Sequence, residues 1–108
     1  MTNSSICGVV LVTAASQQQA EEIAGVVVEA KLAACVNIFP IQSIYRWEGK
    51  LHNHQEWQLL MKTDLKVFPV LEAKIREIHS YQVPEIIALP IACGYEPYLQ
   101  WIFAQVGS

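Results

Sequence analysis

Residues 31–49 read KLAACVNIFPIQSIYRWEG, and the periodicity of this stretch decides the fold. It opens as the end of an amphipathic helix, turns through Ala33 and Ala34, and runs out as a long extended segment. Successive side chains of a strand point to opposite faces. Val36, Ile38 and Ile44 then share one face, and Phe39, Ile41, Tyr45 and Trp47 share the other. Both faces are apolar. A strand on the rim of a small domain cannot bury both against its own core, so part of this one is expected to be covered by another chain.

Upstream, residues 6–12 (ICGVVLV) form a short, continuous apolar run rich in β-branched residues, which suits a strand buried on both faces. Ser16 and Gln19 have the spacing of a capping box. Behind them Ala20, Ile23, Ala24, Val27 and Ala34 fall on one helical stripe. Gly25 costs this helix about 1 kcal/mol against alanine, and close packing on the sheet is its expected use. Downstream, Glu48-Gly49-Lys50 reads as a turn, followed by a strand over 56–63. Trp57, Leu59 and Met61 point to the core, while Glu56, Gln58 and Lys62 face a cleft or a neighbour. A second helix carries Phe68, Leu71, Ile75 and Ile78 as its core stripe, with Pro69 in its first turn and a Glu72–Arg76 pair outside. The last strand is expected over 86–93, at a sheet edge because Pro90 has no amide hydrogen. A closing helical segment places Tyr98, Trp101 and Ile102 on one face.

The order is β-α-β-β-α-β with a C-terminal helix. That is an α+β, ferredoxin-like sandwich: a four-stranded sheet with two helices on one face and the other face open. The expected organisation is a loose tail over 1–5 and a single domain over 6–108. Hydrophobic residues make up 53% of the chain and charged residues 16%, against roughly 25% charged in an average globular protein. A monomer so composed leaves much apolar surface wet, and self-association removes it. The net charge is −3 with no run of Lys or Arg, which argues against nucleic acid, because phosphate binding needs a basic patch. No segment approaches the ~20 apolar residues of a membrane span. No Lys or Arg precedes the first apolar run, so a signal peptide is not expected. Three cysteines, Cys7, Cys35 and Cys93, lie far apart without a C-x-x-C pair, which fits reduced thiols and a cytoplasmic protein.

Motifs for nucleotide binding, zinc hydrolysis and activated serine are absent from the sequence, so no catalytic residue is named and no enzyme is expected. Cys35 has apolar flanks, which suits a buried, inert thiol better than a nucleophile. Cys93 is read as buried too, with Cys7 the most accessible of the three. His52 and His54 place two imidazoles on one strand face, a pattern open to Cu²⁺ or Zn²⁺, although solvated histidines at a hairpin tip explain it as well. The stretch 79–85 (HSYQVPE) puts a histidine, a phenol and a carboxylate in a proline-fixed connection. With Glu56 and Lys62 on the adjacent strand it can form a polar pocket, or else a hydrogen-bond network that fixes the loop.

The segments LAACVNIFP, SIYRWEGK, HSYQVPEIIALP, the Glu56, Lys62 and Thr63 spacing, and residues 94–101 with Tyr98 together resemble the CutA family of divalent-cation tolerance proteins. The resemblance implies a ferredoxin-like subunit in a tight cytoplasmic homotrimer, similar in shape to PII signalling proteins. It implies copper or another divalent metal as ligand, with His79 and Glu56 as the metal-binding residues and no other cofactor. Lys62, Tyr81, Glu85 and Tyr98 are the candidate residues of a ligand pocket. The alternative is a PII-like signalling or scaffold trimer that acts through a protein partner. Some family members carry a thiol in the first strand where this chain has Val12, a proline where it has Ser80, and a glycine where it has Ile41.

Overall fold

The computed structural model describes residues 5–107; the tail expected over 1–5 lies, apart from Ser5, outside them. The elements run β1 (Cys7–Ala14), α1 (Gln17–Glu29), β2 (Cys35–Trp47), β3 (Lys50–Asp64), a 3₁₀ turn (Leu65–Val67), α2 (Phe68–Ile78), β4 (Ile86–Pro90) and α3 (Glu96–Gln105). The four strands form one sheet in the order β2-β3-β1-β4, antiparallel throughout. This is the ferredoxin-like arrangement, and Pro90 sits on an edge strand as its missing amide hydrogen requires.

The core lies between α1, α2 and one sheet face. Val10, Val12, Leu59 and Met61 meet Ala20, Ile23, Val27, Leu71 and Ile75, all fully or almost fully buried. Phe68 and Ile78 pack at its margin, completing the expected α2 stripe. The Ser16 hydroxyl accepts from the Gln19 amide at 3.1 Å, and the Gln19 side chain accepts in return from the Ala15 amide rather than from that of Ser16. α1 ends at Glu29, so Ala34 belongs to the connection and not to the helical stripe. Gly25 is exposed, with open space where a side chain would stand, so it serves no close packing. Gly8 does: a Cβ there would lie 2.4 Å from Leu65. On α2 the ion pair is Lys74–Glu77 at 3.1 Å rather than Glu72–Arg76.

β3 begins at Lys50, six residues before the expected start. Glu48 and Gly49 both have positive φ, +52° and +78°, which makes a tight two-residue hairpin turn and fixes the register: Trp47 opposes Lys50, Tyr45 opposes His52 and Ile41 opposes Glu56. β1 pairs with β3 only from Trp57 onward. Residues 50–56 therefore have only β2 as a strand neighbour and project as a two-stranded ribbon. A 15-residue strand spans on the order of 46–50 Å, and the molecule measures 47 × 25 × 23 Å. The ribbon sets the long axis.

On the sheet face away from α1 and α2, Cys7 donates its thiol hydrogen to the Leu99 carbonyl at 3.7 Å, so α3 covers that end. The rest of this face is open. Phe39, Tyr45 and Trp47 are 37–40% exposed, and Ile87 and Leu89 are half exposed. The expectation for the thiols is reversed: Cys7 is buried, Cys35 partly buried and Cys93 exposed. Proximity to the chain terminus was a poor guide, because Cys7 is already inside the central strand. β4 ends at Pro90, which leaves Cys93 beyond the sheet.

Candidate functional site

Three elements converge at the open face: the end of β1, the middle of β3 and the connection from α2 to β4. α2 stops at Ile78, and His79 leaves it in an extended conformation while its amide still donates to the Ile75 carbonyl. β1 and β4 are last paired at Val12 and Ile86. One residue on, the His79 imidazole reaches the Thr13 carbonyl at 2.6 Å through Nε2. A carbonyl only accepts, so Nε2 carries the proton. The Tyr81 amide donates to Nδ1 at 3.0 Å, so Nδ1 is the bare nitrogen. The ring is thus a neutral tautomer set by both neighbours, with the Tyr81 ring 4.8 Å away.

Tyr81 carries the connection onto β3. Its hydroxyl donates to Glu56 Oε2 at 2.6 Å, and Glu56 is only 6% exposed. Burial, then the hydrogen bond to Glu56 and its charge, push the Tyr81 phenol well above its ordinary range. Gln58 donates to the Val12 carbonyl at 3.0 Å and, more weakly, to Glu85 at 3.5 Å. The result is a chain from Thr13 through His79 and Tyr81 to Glu56, flooring an open cavity of about 680 Å³. Glu85 stands on its wall, as do Tyr45 and Trp47 from the ribbon.

The predicted residues thus divide. Glu56, Tyr81 and Glu85 line the cavity, and His79 lies behind it, bonded to Tyr81. Lys62 and Tyr98 sit elsewhere on the same face. Lys62 opposes Cys35, six residues along β3 from Glu56, and its ammonium donates to Asn37. Burial, then the Cys35 thiol beside it, raise the Tyr98 phenol, and its ring stacks on Trp101. His52 and His54 do share a face, with ring centroids 6.4 Å apart, and lie within β3 against Tyr45 rather than at the turn. The Tyr45 hydroxyl and His54 Nε2 are 3.1 Å apart. Tyr45 and Trp47, read from sequence only as interface residues, also wall the cavity. The two-residue turn was the signal for this, because the register it sets brings their face over Glu56.

A divalent metal fits this donor set poorly as it is arranged. Both His79 nitrogens are engaged, one Glu56 oxygen holds Tyr81, and no group of three or more His, Cys, Asp or Glu side chains among the described residues is placed to hold an ion. An ion using His79 would first have to displace the Tyr81 amide from Nδ1. Among the described residues no helix is long and apolar enough to cross a membrane.

Comparison with known proteins agrees with this fold. The chain is 49% identical over 100 residues to the divalent-cation tolerance protein CutA of Thermus thermophilus, covering 92% of this chain and 97% of that protein. It is 47% identical over 92 residues to protein CutA of Homo sapiens, covering 84% of this chain and about half (51%) of that longer protein. The solved structure of the periplasmic divalent cation tolerance protein CutA from Archaeoglobus fulgidus superposes with a TM-score of 0.92 at 40% identity, covering 94% of this chain and 100% of that one. The sequence profile of the CutA1 divalent ion tolerance proteins matches residues 8–105, and the chain belongs to that family.

Proposed function

We propose that this chain is a non-enzymatic, cytoplasmic homotrimer that serves divalent-cation tolerance by binding copper, another divalent cation or a small ligand in clefts between subunits. The observation that carries the reading is Glu56: a buried carboxylate on the floor of a cavity of about 680 Å³, held by a neutral phenol. Burying a charge is costly without a compensating partner, and a cation entering the cavity supplies one. Assembly has separate support. The ribbon and the open face expose Phe39, Tyr45, Trp47, Ile87 and Leu89, and the outer edges of β2 and β4 are unpaired among the described residues. Free Cys7, Cys35 and Cys93 suit a reducing compartment.

Calorimetric titration with Cu²⁺ tests the reading. An ion held by His79 displaces the Tyr81 amide from Nδ1, so on this reading Glu56→Gln and His79→Ala each weaken binding while the assembly stays intact, and binding fades as pH falls and ligands take up protons. Unchanged binding in both variants, with loss in the double variant His52→Ala and His54→Ala, would move the metal to the ribbon and overturn the assignment to the cleft.

A further inference from the structure

We propose that the cleft takes an organic ammonium ion, with Glu56 as its counter-charge; this rests on reading the cleft as the binding site and names its ligand class. Among the described residues the only ion pair is Lys74–Glu77, on the far helix, so no described side chain of the same chain neutralises Glu56. The cavity lining contains no Lys, Arg or His. It contains a second carboxylate, Glu85, and the rings of Tyr45, Trp47 and Tyr81. Aromatic faces attract cations through the ring quadrupole, so walls and floor favour the same sign of charge. Size separates the kinds of cation. A cavity of about 680 Å³ lies in the range of small-molecule sites and is far larger than a bare ion. The imidazole that copper would prefer is tied to Thr13 and Tyr81. An ammonium group instead donates N–H bonds to Glu56 while its hydrocarbon body lies against Tyr45 and Trp47.

The test is calorimetry on the full chain with benzylammonium chloride, its neutral analogue benzyl alcohol, and CuCl₂. Benzylammonium should bind at least roughly tenfold more tightly than benzyl alcohol, the scale of a hydrogen bond to a charged group. Glu56→Gln should remove that preference and leave the alcohol unaffected. Glu85→Gln, on an exposed side chain, should cost the ammonium about threefold and serves as the second variant should Glu56→Gln not fold. Equal binding of ammonium and alcohol would overturn the proposal. Copper binding that depends on Glu56 without any ammonium binding overturns the ligand class alone. Ammonium binding indifferent to Glu56→Gln and Glu85→Gln overturns the cleft reading as well.

Discussion

The Tyr81 hydroxyl and the Glu56 carboxylate are 2.6 Å apart, and this one bond closes the connection between α2 and β4 onto the middle of β3. Tyr81→Phe leaves a buried carboxylate without its donor and should lower stability by about 1–3 kcal/mol, read as a shift in the denaturant midpoint. The bond also carries a pH signature. Burial, the hydrogen bond and the Glu56 charge raise the phenol from its ordinary value of 10.0, so the unfolded chain gives up this proton at lower pH than the folded one. The stabilisation is therefore whole below about pH 10 and is lost as pH climbs through the folded value. Alkaline melts should show a falling stability above pH 10 that is shallower in Tyr81→Phe. Equal slopes in the two proteins would contradict the assignment.

Replacing Tyr45 or Trp47 with Asp should break the proposed trimer or prevent folding, because a carboxylate would replace apolar ribbon surface that the neighbouring copy covers at the margin of the cleft. Light scattering on the soluble fraction should then give the single-chain mass of 12.1 kDa instead of three times that value. A folded trimer carrying either change would refute the role given to the ribbon.

Thiol labelling of the native protein should modify Cys93 before Cys35 and leave Cys7 until last. Cys93 is exposed and Cys35 partly so. Cys7 is buried, and burial, then the charges of Asp64 and Glu96, raise its thiol and keep it protonated. Peptide mass spectrometry over a time course reads the order, and early modification of Cys7 would mean that β1 opens.

Gly8→Ala should destabilise the fold by about 1–3 kcal/mol, the range for overpacking a filled core. The new methyl would stand 2.4 Å from both Cγ and Cδ2 of Leu65, so rotating a side-chain tip does not relieve it. Urea unfolding measures the loss, and adding Leu65→Ala should recover part of it. If the double variant is no better than the sum of the single ones, the clash is not the cause.

Where local pattern sufficed, the sequence already told the architecture: the apolar run of β1, the stripe on α2 and the edge position of Pro90 were all readable. What misled was polarity read as a hairpin tip. His52, Asn53, His54 and Gln55 look like a hairpin tip, yet each is paired across from residues 42–45, because the turn at Glu48 and Gly49 forces the ladder to continue. The site was half readable. His79, Tyr81 and Glu85 lie close together in sequence, and a proline-fixed connection marks them. Glu56 was readable as their neighbour on the polar face of the adjacent strand, although it is 25 residues from Tyr81; Thr13, 66 residues from His79, was not. Only the fold brings Thr13 and His79 together, and no periodicity reports a carbonyl left over where β4 begins.

The ribbon has a consequence for how this protein opens. A lone two-stranded hairpin is marginal in water, and residues 50–56 have no other strand beside them. Amide hydrogens there are held by a ladder that frays at its own low cost, while those of Val10 and Leu59 are released only when the core comes apart. Exchange at His52 and His54 should accordingly quicken on dilution, as copies of the proposed trimer separate, with Val10 and Leu59 staying slow. The outer half of the hairpin would then be a built-in gauge of the proposed assembly, reporting how many neighbours a chain has at that moment.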